Sequence, residues 1–231
     1  MGVTDTMRAP IFVPATRPER FAKAASSGAD AVILDLEDSV LPEDKDDARQ
    51  QLIGGFGEQI VLVRINAHGM PWHEADLAAI SAIDLDGVIV PKAEDPATLA
   101  RIAATLPEKT ALLALIETAR GLANARDIAA TAGVTRLVFG SVDYCADLNM
   151  DHERSLLQSA RSELVLASRL AGIAAPVDGV TLRIDDLGEI ASDARHAKAL
   201  GMTGKLCIHP AQIESVLSAF GPSQVEIDWA K

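Results

Sequence analysis

The chain has 231 residues, of which 48% are hydrophobic and only 3% aromatic, so a single, mainly aliphatic core is expected. With 21 Lys and Arg against 33 Asp and Glu its formal net charge is -12, which argues against a nucleic-acid surface because phosphate binding requires clustered basic residues. Two cysteines make no disulfide framework, the N-terminus lacks an apolar signal region, and no apolar run approaches the roughly 20 residues that cross a membrane, so a cytoplasmic protein is expected.

Eight short apolar runs are spaced along the chain and predict the strands of a parallel sheet. Near-continuous Val, Ile and Leu is typical of strands that are covered on both faces. The seventh run is the weakest, because polar residues flank it. The runs are APIFVPA (9–15), AVILDLE (31–37), IVLVRIN (60–66), GVIVPK (87–92), ALLALIE (111–117), RLVFGSV (136–142), DGVTLRI (178–184) and GKLCIHP (204–210).

The segments between these runs, such as ATLARIAATL, carry apolar residues at intervals of three and four, as helices that pack against a sheet do. Eight strands that are each followed by a helix predict a single (β/α)8 TIM barrel of the α/β class over residues 1–231. A doubly wound open sheet is the alternative. The even spacing of the runs, and the absence of a GxGxxG motif after the first, favour the barrel.

The active site of such a barrel forms at the carboxyl ends of its strands, and polar residues follow nearly every predicted strand. After the first strand, Arg17 and Arg20 surround the start of a helix that has Pro18 at an early position. Helix-start amides and basic side chains together suit the phosphates of a large cofactor. Ordinary surface charge is the alternative explanation.

The second strand ends in three carboxylates, Asp35, Glu37 and Asp38, and the third contains Arg64 within VRIN. An arginine in an aliphatic strand is costly unless it is paired. Its planar fork fits a substrate carboxylate, and the acids of the second strand could orient it. A structural ion pair with Glu37 or Asp38 is the alternative, and the two roles are compatible.

Glu117 ends the fifth strand and Asp143 follows the sixth, so the two carboxylates are expected at neighbouring strand ends. Two such groups can give Mg²⁺ two oxygen ligands and leave its other positions to water and substrate. The alternative for Glu117 is a helix-start residue that accepts the amides of residues 118–121.

Other candidates are weaker. His68 and His73 flank GMPW, a spacing that cannot form one helical face, so loop residues are predicted rather than a metal pair. His152 is predicted to be exposed near a helix start, and Cys145 and Cys207 are predicted to be buried thiols.

Seven motifs occur in this order along the chain: FVPATRPERF, GADAVILDLEDSV, VRIN, GVIVPKAE, LIETARG, FGSVDYCADL and GKLCIHPAQI. Together they resemble the citrate lyase beta-subunit-like proteins of the HpcH/HpaI aldolase/citrate lyase superfamily. The resemblance runs from about residue 8 to 220 and implies a Mg²⁺-dependent carbon–carbon lyase on a TIM barrel. It also implies hydroxyacyl-CoA substrates such as citryl-CoA, malyl-CoA or citramalyl-CoA, and a homo-oligomer, with a trimer favoured.

The resemblance implies roles for particular residues. Glu117 in LIETARG and Asp143 after FGSV match the family's Mg²⁺ ligands, with Glu117 also at the substrate. Arg64 in VRIN matches the arginine that holds the carboxylate of the oxoacid. Arg17 and Arg20 fall in the segment on the CoA side.

Catalytic roles beside Arg64 are expected for Glu37 and Asp38, which we place around metal-bound water and Arg64 because Glu117 and Asp143 already supply the metal ligands. Many relatives continue into a C-terminal lid that can supply a catalytic acid to a neighbouring subunit, and this sequence stops at Lys231, so a short form is expected. A class II aldolase that acts on free 2-oxo acids and a non-catalytic oxoacid-binding subunit are the alternatives.

Overall fold

Eight strands, all parallel, follow one another along the described part of the chain. A computed structural model describes residues 2–222 and 228–229. The strands are β1 (Pro10–Pro14), β2 (Ala31–Asp35), β3 (Ile60–Arg64), β4 (Gly87–Val90), β5 (Ala111–Ile116), β6 (Val134–Phe139), β7 (Ala174–Asp178) and β8 (Gly204–Lys205).

Each strand pairs with the next, and the last returns to the first. A parallel bridge joins Ile11 to Cys207, in which the amide of Phe12 donates to the Cys207 carbonyl at 2.9 Å. The Cys207 amide donates in turn to the Pro10 carbonyl at 2.8 Å. The sheet therefore closes into a barrel, which confirms the predicted TIM barrel and excludes the open doubly wound sheet.

Helices fill the connections between the strands, as the three- and four-residue apolar spacing predicts. None of the described helices is long and apolar enough to cross a membrane. The helices are α1 (Phe21–Ala25), α2 (Lys45–Gln50), α3 (His73–Ser81), α4 (Pro96–Thr105), α5 (Ala119–Ala123), α6 (Ala125–Ala129), α7 (Ser141–Leu148), α8 (Gln158–Ala171), α9 (Leu187–Ala199) and α10 (Ile213–Phe220).

Successive strand residues face opposite sides of the sheet and form two separate apolar clusters. Ala31, Ile33, Leu62 and Ile89 belong to a cluster inside the barrel. Their chain neighbours, such as Val32 and Leu34 of β2, belong to the larger cluster between the sheet and the helices. The same alternation, continued to the strand ends, points Asp35, Arg64 and Glu117 toward the barrel axis. The two-residue period of the strands therefore places these charges at the opening formed by the carboxyl ends of the strands, the mouth of the barrel.

Arg136 closes the opposite end of the barrel. Its guanidinium is fully buried and donates to the carbonyls of Thr4, Met7 and Ala175 at 2.6 to 2.9 Å. Burial lowers the pKa of Arg136 to about 10. Because carbonyl oxygens hold this cation, the segment before β1 is fixed beneath the barrel, away from the strand ends that carry the candidate site.

The predicted strand bounds are wrong at the seventh strand. The structure places β7 at Ala174–Asp178, whereas 178–184 was expected. Helix α8 ends at Ala171, Gly172 after it takes the left-handed conformation, and the chain enters the sheet directly. Residues 179–184 continue past the strand end as a connection. The eighth strand is also shorter than predicted, with regular pairing only at Gly204–Lys205.

Asp178 carries a buried charge cluster on the outer side of the sheet. Its carboxylate accepts from Arg161 Nε at 2.7 Å and from Lys205 Nζ at 2.9 Å, and all three side chains are almost fully buried. Burial alone would raise the pKa of Asp178, but Lys205 and Arg161 hold it below its ordinary value. Helix α8 is thereby tied to β7 and β8.

Replacing Asp178 by Asn leaves the charges of Arg161 and Lys205 buried without their counter-charge. We expect Asp178→Asn to lower the free energy of unfolding by about 3–5 kcal/mol, measured by urea denaturation. Asp185→Asn is the control, since Asp185 is exposed and, among the described residues, pairs only with Arg183 at 3.3 Å. A change within about 0.5 kcal/mol is expected there. Equal effects of the two substitutions would contradict a stabilising role for the cluster.

Candidate active site

A cavity of about 360 Å³ opens at the carboxyl ends of the strands. Phe12, Asp38, Arg64, Glu117 and Asp143 lie on its wall, so residues from five different parts of the sequence meet there. Four of these five are charged residues that the sequence indicated as site candidates. The cavity therefore has the position and the chemistry expected of an active site in this fold.

Arg64 is held from behind by Asp35. The two residues are register partners on β3 and β2, and their side chains form a forked pair in which Nε and Nη2 donate to the two carboxylate oxygens at 2.7 and 2.8 Å. The amides of Glu37 and Ser39 also donate to Asp35. Burial would raise the pKa of Asp35, but Arg64 keeps it below its ordinary value.

One part of the Arg64 guanidinium remains available to a ligand. Of its five N–H groups, two bond to Asp35 and one on Nη1 donates to Asp38 at 3.1 Å. Glu37 Oε2 also lies 3.1 Å from Nη1, so only Nη2 keeps an N–H with no acceptor among the described residues. The Phe12 ring lies against the guanidinium, 4.8 Å from Cζ to the ring centre, and fixes its plane. Arg64 is thus ion-paired through Nε, Nη1 and Nη2 and keeps one unpaired N–H on Nη2 at the cavity wall.

Glu37 lies beside this pair but off the cavity wall. Its Oε2 is 3.1 Å from Arg64 Nη1 and has no aligned hydrogen bond, while its Oε1 is 3.3 Å from Lys92 Nζ. Burial raises the pKa of Glu37 to about 7, against the opposing effect of Arg64. Of the two acids expected to act with Arg64, Asp38 therefore reaches the cavity and Glu37 supports it from outside.

Glu117 presents a buried carboxylate to the cavity. Its Oε1 accepts from the backbone amide of Lys92 at 2.7 Å. The start of α5 is capped by other groups, since Thr118 Oγ1 accepts from Gly121 and Asp147 accepts from Ala119. Glu117 is therefore free of the helix-capping role that was its alternative. Burial raises the pKa of Glu117 to about 8.

Gly140 makes room for the Glu117 carboxylate. A Cβ at position 140 would lie 2.4 Å from Glu117 Cβ and 2.5 Å from Oε2, closer than real contacts allow. The sixth strand ends at Phe139, so Gly140 occupies the turn that leads into α7. Glycine is therefore required at position 140 for a steric reason, because Glu117 at the end of the neighbouring strand β5 occupies the space of a side chain.

Lys92 is the last residue of the fourth predicted strand, and no role was predicted for it from the sequence. Its backbone has φ 46, in the left-handed region that side chains other than glycine rarely adopt. Its Nζ lies 3.3 Å from Glu37 and 3.6 Å from Asp143 Oδ2. Burial would lower the pKa of Lys92, but the surrounding carboxylates raise it above its ordinary value. Lys92 thus places a cation between the acids.

The carboxylates at the mouth fit a divalent hard cation. Glu117 and Asp143 offer oxygen donors, which Mg²⁺ prefers, from adjacent strand ends. The Glu117 Oε2 atom lies in a cradle that a side chain at Gly140 would fill. The raised pKa of Glu117 reflects a buried charge with too little compensation, which a bound cation would supply.

Arg17 and Arg20 lie outside the cavity. Both side chains are more than half exposed, and each is within 4.0 Å of Glu19. Arg17 lines a surface groove that reaches Ser39, and Ser39 also lines the mouth cavity, so the groove and the cavity meet at this residue. The acids Asp44 and Asp47 line the same groove. The helix that follows Arg17 and Arg20 is α1, which spans only Phe21–Ala25.

His152 is half-buried, where the sequence predicted exposure. Its Nε2 lies 2.9 Å from Ser141 Oγ, in the first turn of α7. Burial lowers the pKa of His152. No local sequence pattern joins these two residues, because the chain between them runs through α7 and a turn before returning.

Known proteins resemble this chain over nearly its whole length. The HpcH/HpaI aldolase/citrate lyase family model matches residues 8–210. A citrate lyase subunit beta-like protein of Deinococcus radiodurans is 38% identical, over 95% of this chain and 82% of the relative. A (3S)-malyl-CoA thioesterase of Cereibacter sphaeroides is 33% identical, over 96% of this chain and 80% of the relative.

Among solved structures, the CitE protein of Mycobacterium tuberculosis in complex with magnesium, acetoacetate and coenzyme A superposes with a TM-score of 0.86. It is 36% identical, and the match covers 97% of this chain and 85% of the other. The likeness confirms both the barrel and the superfamily that the ordered motifs indicated.

The contact between Gly140 and Glu117 can be tested by adding one methyl group. We expect Gly140→Ala to push the Glu117 carboxylate aside and to weaken Mg²⁺ binding at least about tenfold, measured by isothermal titration calorimetry. Gly55→Ala is the matched control, because a Cβ there meets nothing within 4 Å. Unchanged Mg²⁺ affinity in Gly140→Ala would show that Glu117 is not a ligand.

Proposed function

Because the chain belongs to the HpcH/HpaI aldolase/citrate lyase family, we propose that it is a Mg²⁺-dependent carbon–carbon lyase. Its substrate is a hydroxyacyl-CoA thioester such as citryl-CoA, malyl-CoA or citramalyl-CoA, and its products are an acyl-CoA and a 2-oxo acid. One observation carries the proposal: the guanidinium of Arg64 and the carboxylates of Glu117 and Asp143 share the wall of one cavity.

Arg64 binds the carboxylate that becomes part of the oxo acid. Its unpaired Nη2 N–H donates to a carboxylate oxygen of the substrate, and Asp35 and Phe12 keep the guanidinium in plane. A substrate held in this way is fixed in orientation, which supplies part of the rate enhancement. Asp38 and Glu37 keep Nη1 in place, so their role is to position Arg64.

The reaction breaks a carbon–carbon bond and moves negative charge. The hydroxyl oxygen loses its proton and becomes a carbonyl, the electron pair passes to the thioester enolate, and that enolate takes up a proton at carbon. Glu117 and Asp143 hold the Mg²⁺, which when bound supplies a Lewis acid for the developing negative oxygen. The apolar part of the wall, including Leu115, Phe139 and Leu206, limits water at the reacting atoms.

The CoA portion lies along the groove that leaves the cavity at Ser39. This groove carries Arg17, and Arg20 lies three residues further along the chain, so cationic groups are available to phosphates. The acids Asp44 and Asp47 restrict phosphate binding to the Arg17 end of the groove. The homotrimer expected from the resemblance remains a prediction.

Hydrolysis of the same thioester is the second candidate function. It is favoured by the 33% identity to (3S)-malyl-CoA thioesterases. Both reactions consume the same substrate, but a lyase releases acetyl-CoA and a 2-oxo acid, whereas a thioesterase releases free CoA thiol and the intact hydroxy acid. Product identity separates them.

Purified protein with Mg²⁺ and each of the three named thioesters is expected to form acetyl-CoA and a 2-oxo acid in equal amounts from at least one of them. Mass spectrometry of CoA species and a thiol assay measure the products. We expect Glu117→Gln to lower kcat/KM at least about 100-fold, and Glu58→Gln, an exposed acid at the other end of the barrel, to leave it unchanged. Free thiol without acetyl-CoA would replace the lyase by the thioesterase, and no turnover of any thioester would refute both.

The groove predicts a separate effect on CoA affinity. We expect Arg17→Gln to raise KM for the thioester several-fold with little change in kcat, because one phosphate contact is lost while the reacting end stays in the cavity. Steady-state kinetics measure both constants. Arg169→Gln, an exposed arginine on α8, is the control. An unchanged KM in Arg17→Gln would remove this groove from the CoA path.

A further inference from the structure

Two histidines and a glutamate meet outside the mouth cavity, at the connection between β3 and α3. His68, His73 and Glu74 each offer one ligand atom, and these atoms lie within 4.8 Å of one another. The three side chains line a separate cavity of about 180 Å³. The sequence spacing argued against a metal pair, but the turn at residues 69–72 brings the imidazoles to 5.2 Å between ring centres.

His73 is buried and its orientation is fixed. Its Nδ1 lies 2.8 Å from the backbone carbonyl of Asn66. A carbonyl can only accept, so Nδ1 carries the proton and Nε2 carries the lone pair. Nε2 makes no hydrogen bond to residues 2–222 or 228–229. Metal-binding histidines are oriented in this way, with one nitrogen donating to a backbone carbonyl and the other facing the ion.

The Asn66 carbonyl is itself held in place. The Asn66 amide and side chain both donate to Asp76 Oδ2, at 2.8 and 2.7 Å. Lys45 Nζ donates to Asn66 Oδ1 at 2.8 Å and also to the carbonyl of Glu37 at 2.7 Å. A rigid backbone therefore aims the His73 ring, and the same hydrogen bonds extend to the strand end beside Arg64.

His68 and Glu74 can close around an ion at small cost. Both residues are exposed, and neither side chain makes a hydrogen bond or an ion pair with the described residues. In a tetrahedral zinc site the ligand atoms are about 3.4 Å apart, since the bonds are about 2.0–2.2 Å long. Rotation of two free side chains supplies this closure, while His73 stays fixed.

We propose that His68, His73 and Glu74 bind a divalent transition cation, with Zn²⁺ as the best match. Two imidazole nitrogens and a carboxylate suit Zn²⁺, whereas the oxygen donors at the mouth of the barrel suit Mg²⁺, so the two sites select different ions. Three protein ligands leave a fourth position open. Thr98 and Arg101 share the cavity wall, and the Arg101 charge favours water or an anion in that position.

Titration calorimetry with Zn²⁺ tests the His68, His73 and Glu74 site. Excess Mg²⁺ in the buffer occupies the carboxylates at the mouth, so that Zn²⁺ does not bind there. One bound Zn²⁺ per chain is expected, with an affinity at least about tenfold weaker in both His68→Asn and Glu74→Gln. These two side chains are exposed, so the variants are expected to fold. With Co²⁺ in place of Zn²⁺, the visible absorption of the low-coordinate ion is expected in the wild type and lost in His68→Asn.

Matched controls exclude general surface binding. His209→Asn removes an exposed histidine elsewhere, and Glu214→Gln removes an exposed glutamate from the first turn of α10, as Glu74 lies in the first turn of α3. Both controls are expected to bind Zn²⁺ as the wild type does. The proposal is wrong if the wild type binds no Zn²⁺, if His68→Asn and Glu74→Gln bind it unchanged, or if the controls weaken binding equally.

Discussion

The forked pair between Arg64 and Asp35 organises the mouth of the barrel. A guanidinium at this depth is tolerated only because a carboxylate on the adjacent strand meets it in register. From Arg64 the contacts pass to Glu37, from Glu37 to Lys92, and from Lys92 to Asp143, each within 3.6 Å. The pair therefore begins a continuous series of charge contacts that reaches Asp143 on the far side of the mouth.

The charge at the mouth is unbalanced. Five carboxylates gather around two cations, and the two most buried acids without a full partner are the ones whose pKa is raised, Glu37 to about 7 and Glu117 to about 8. An excess of buried negative charge is costly until a cation or a proton arrives. The acids are Asp35, Glu37, Asp38, Glu117 and Asp143, and the cations that contact their carboxylates are Arg64 and Lys92. Lys45 lies behind them, with its Nζ on the backbone carbonyls of Leu36 and Glu37.

A second buried cluster shows the opposite balance. Asp178 has two cations, Arg161 and Lys205, and its pKa is lowered, as a purely structural ion pair requires. The two clusters lie on opposite faces of the sheet and follow from the same alternation of side chains. Compensated charge stabilises the outer layer, whereas uncompensated charge at the mouth is available for binding and chemistry.

The sequence by itself determined the barrel and its polar rim. Continuous aliphatic runs specify strands that are buried on both faces, and the residues that follow them must lie at the carboxyl ends, so Arg64, Glu117 and Asp143 could be predicted to converge. The exception was β7, where Ala174–Asp178 pairs with β6 and the more β-branched run after it does not. The apolar content of the sequence did not locate β7 correctly, because the neighbouring strand β6 decides which residues pair.

Only the tertiary structure decided which charges contact each other. Asp35 could not be distinguished from Glu37 and Asp38 as the principal partner of Arg64, because register between strands is not encoded in local spacing. The role of Gly140, the place of Lys92 among the acids, and the meeting of His68 with His73 likewise depend on turns whose path the residue pattern does not specify. Contacts across the mouth arise from closure of the barrel, and closure is a property of all eight strands together.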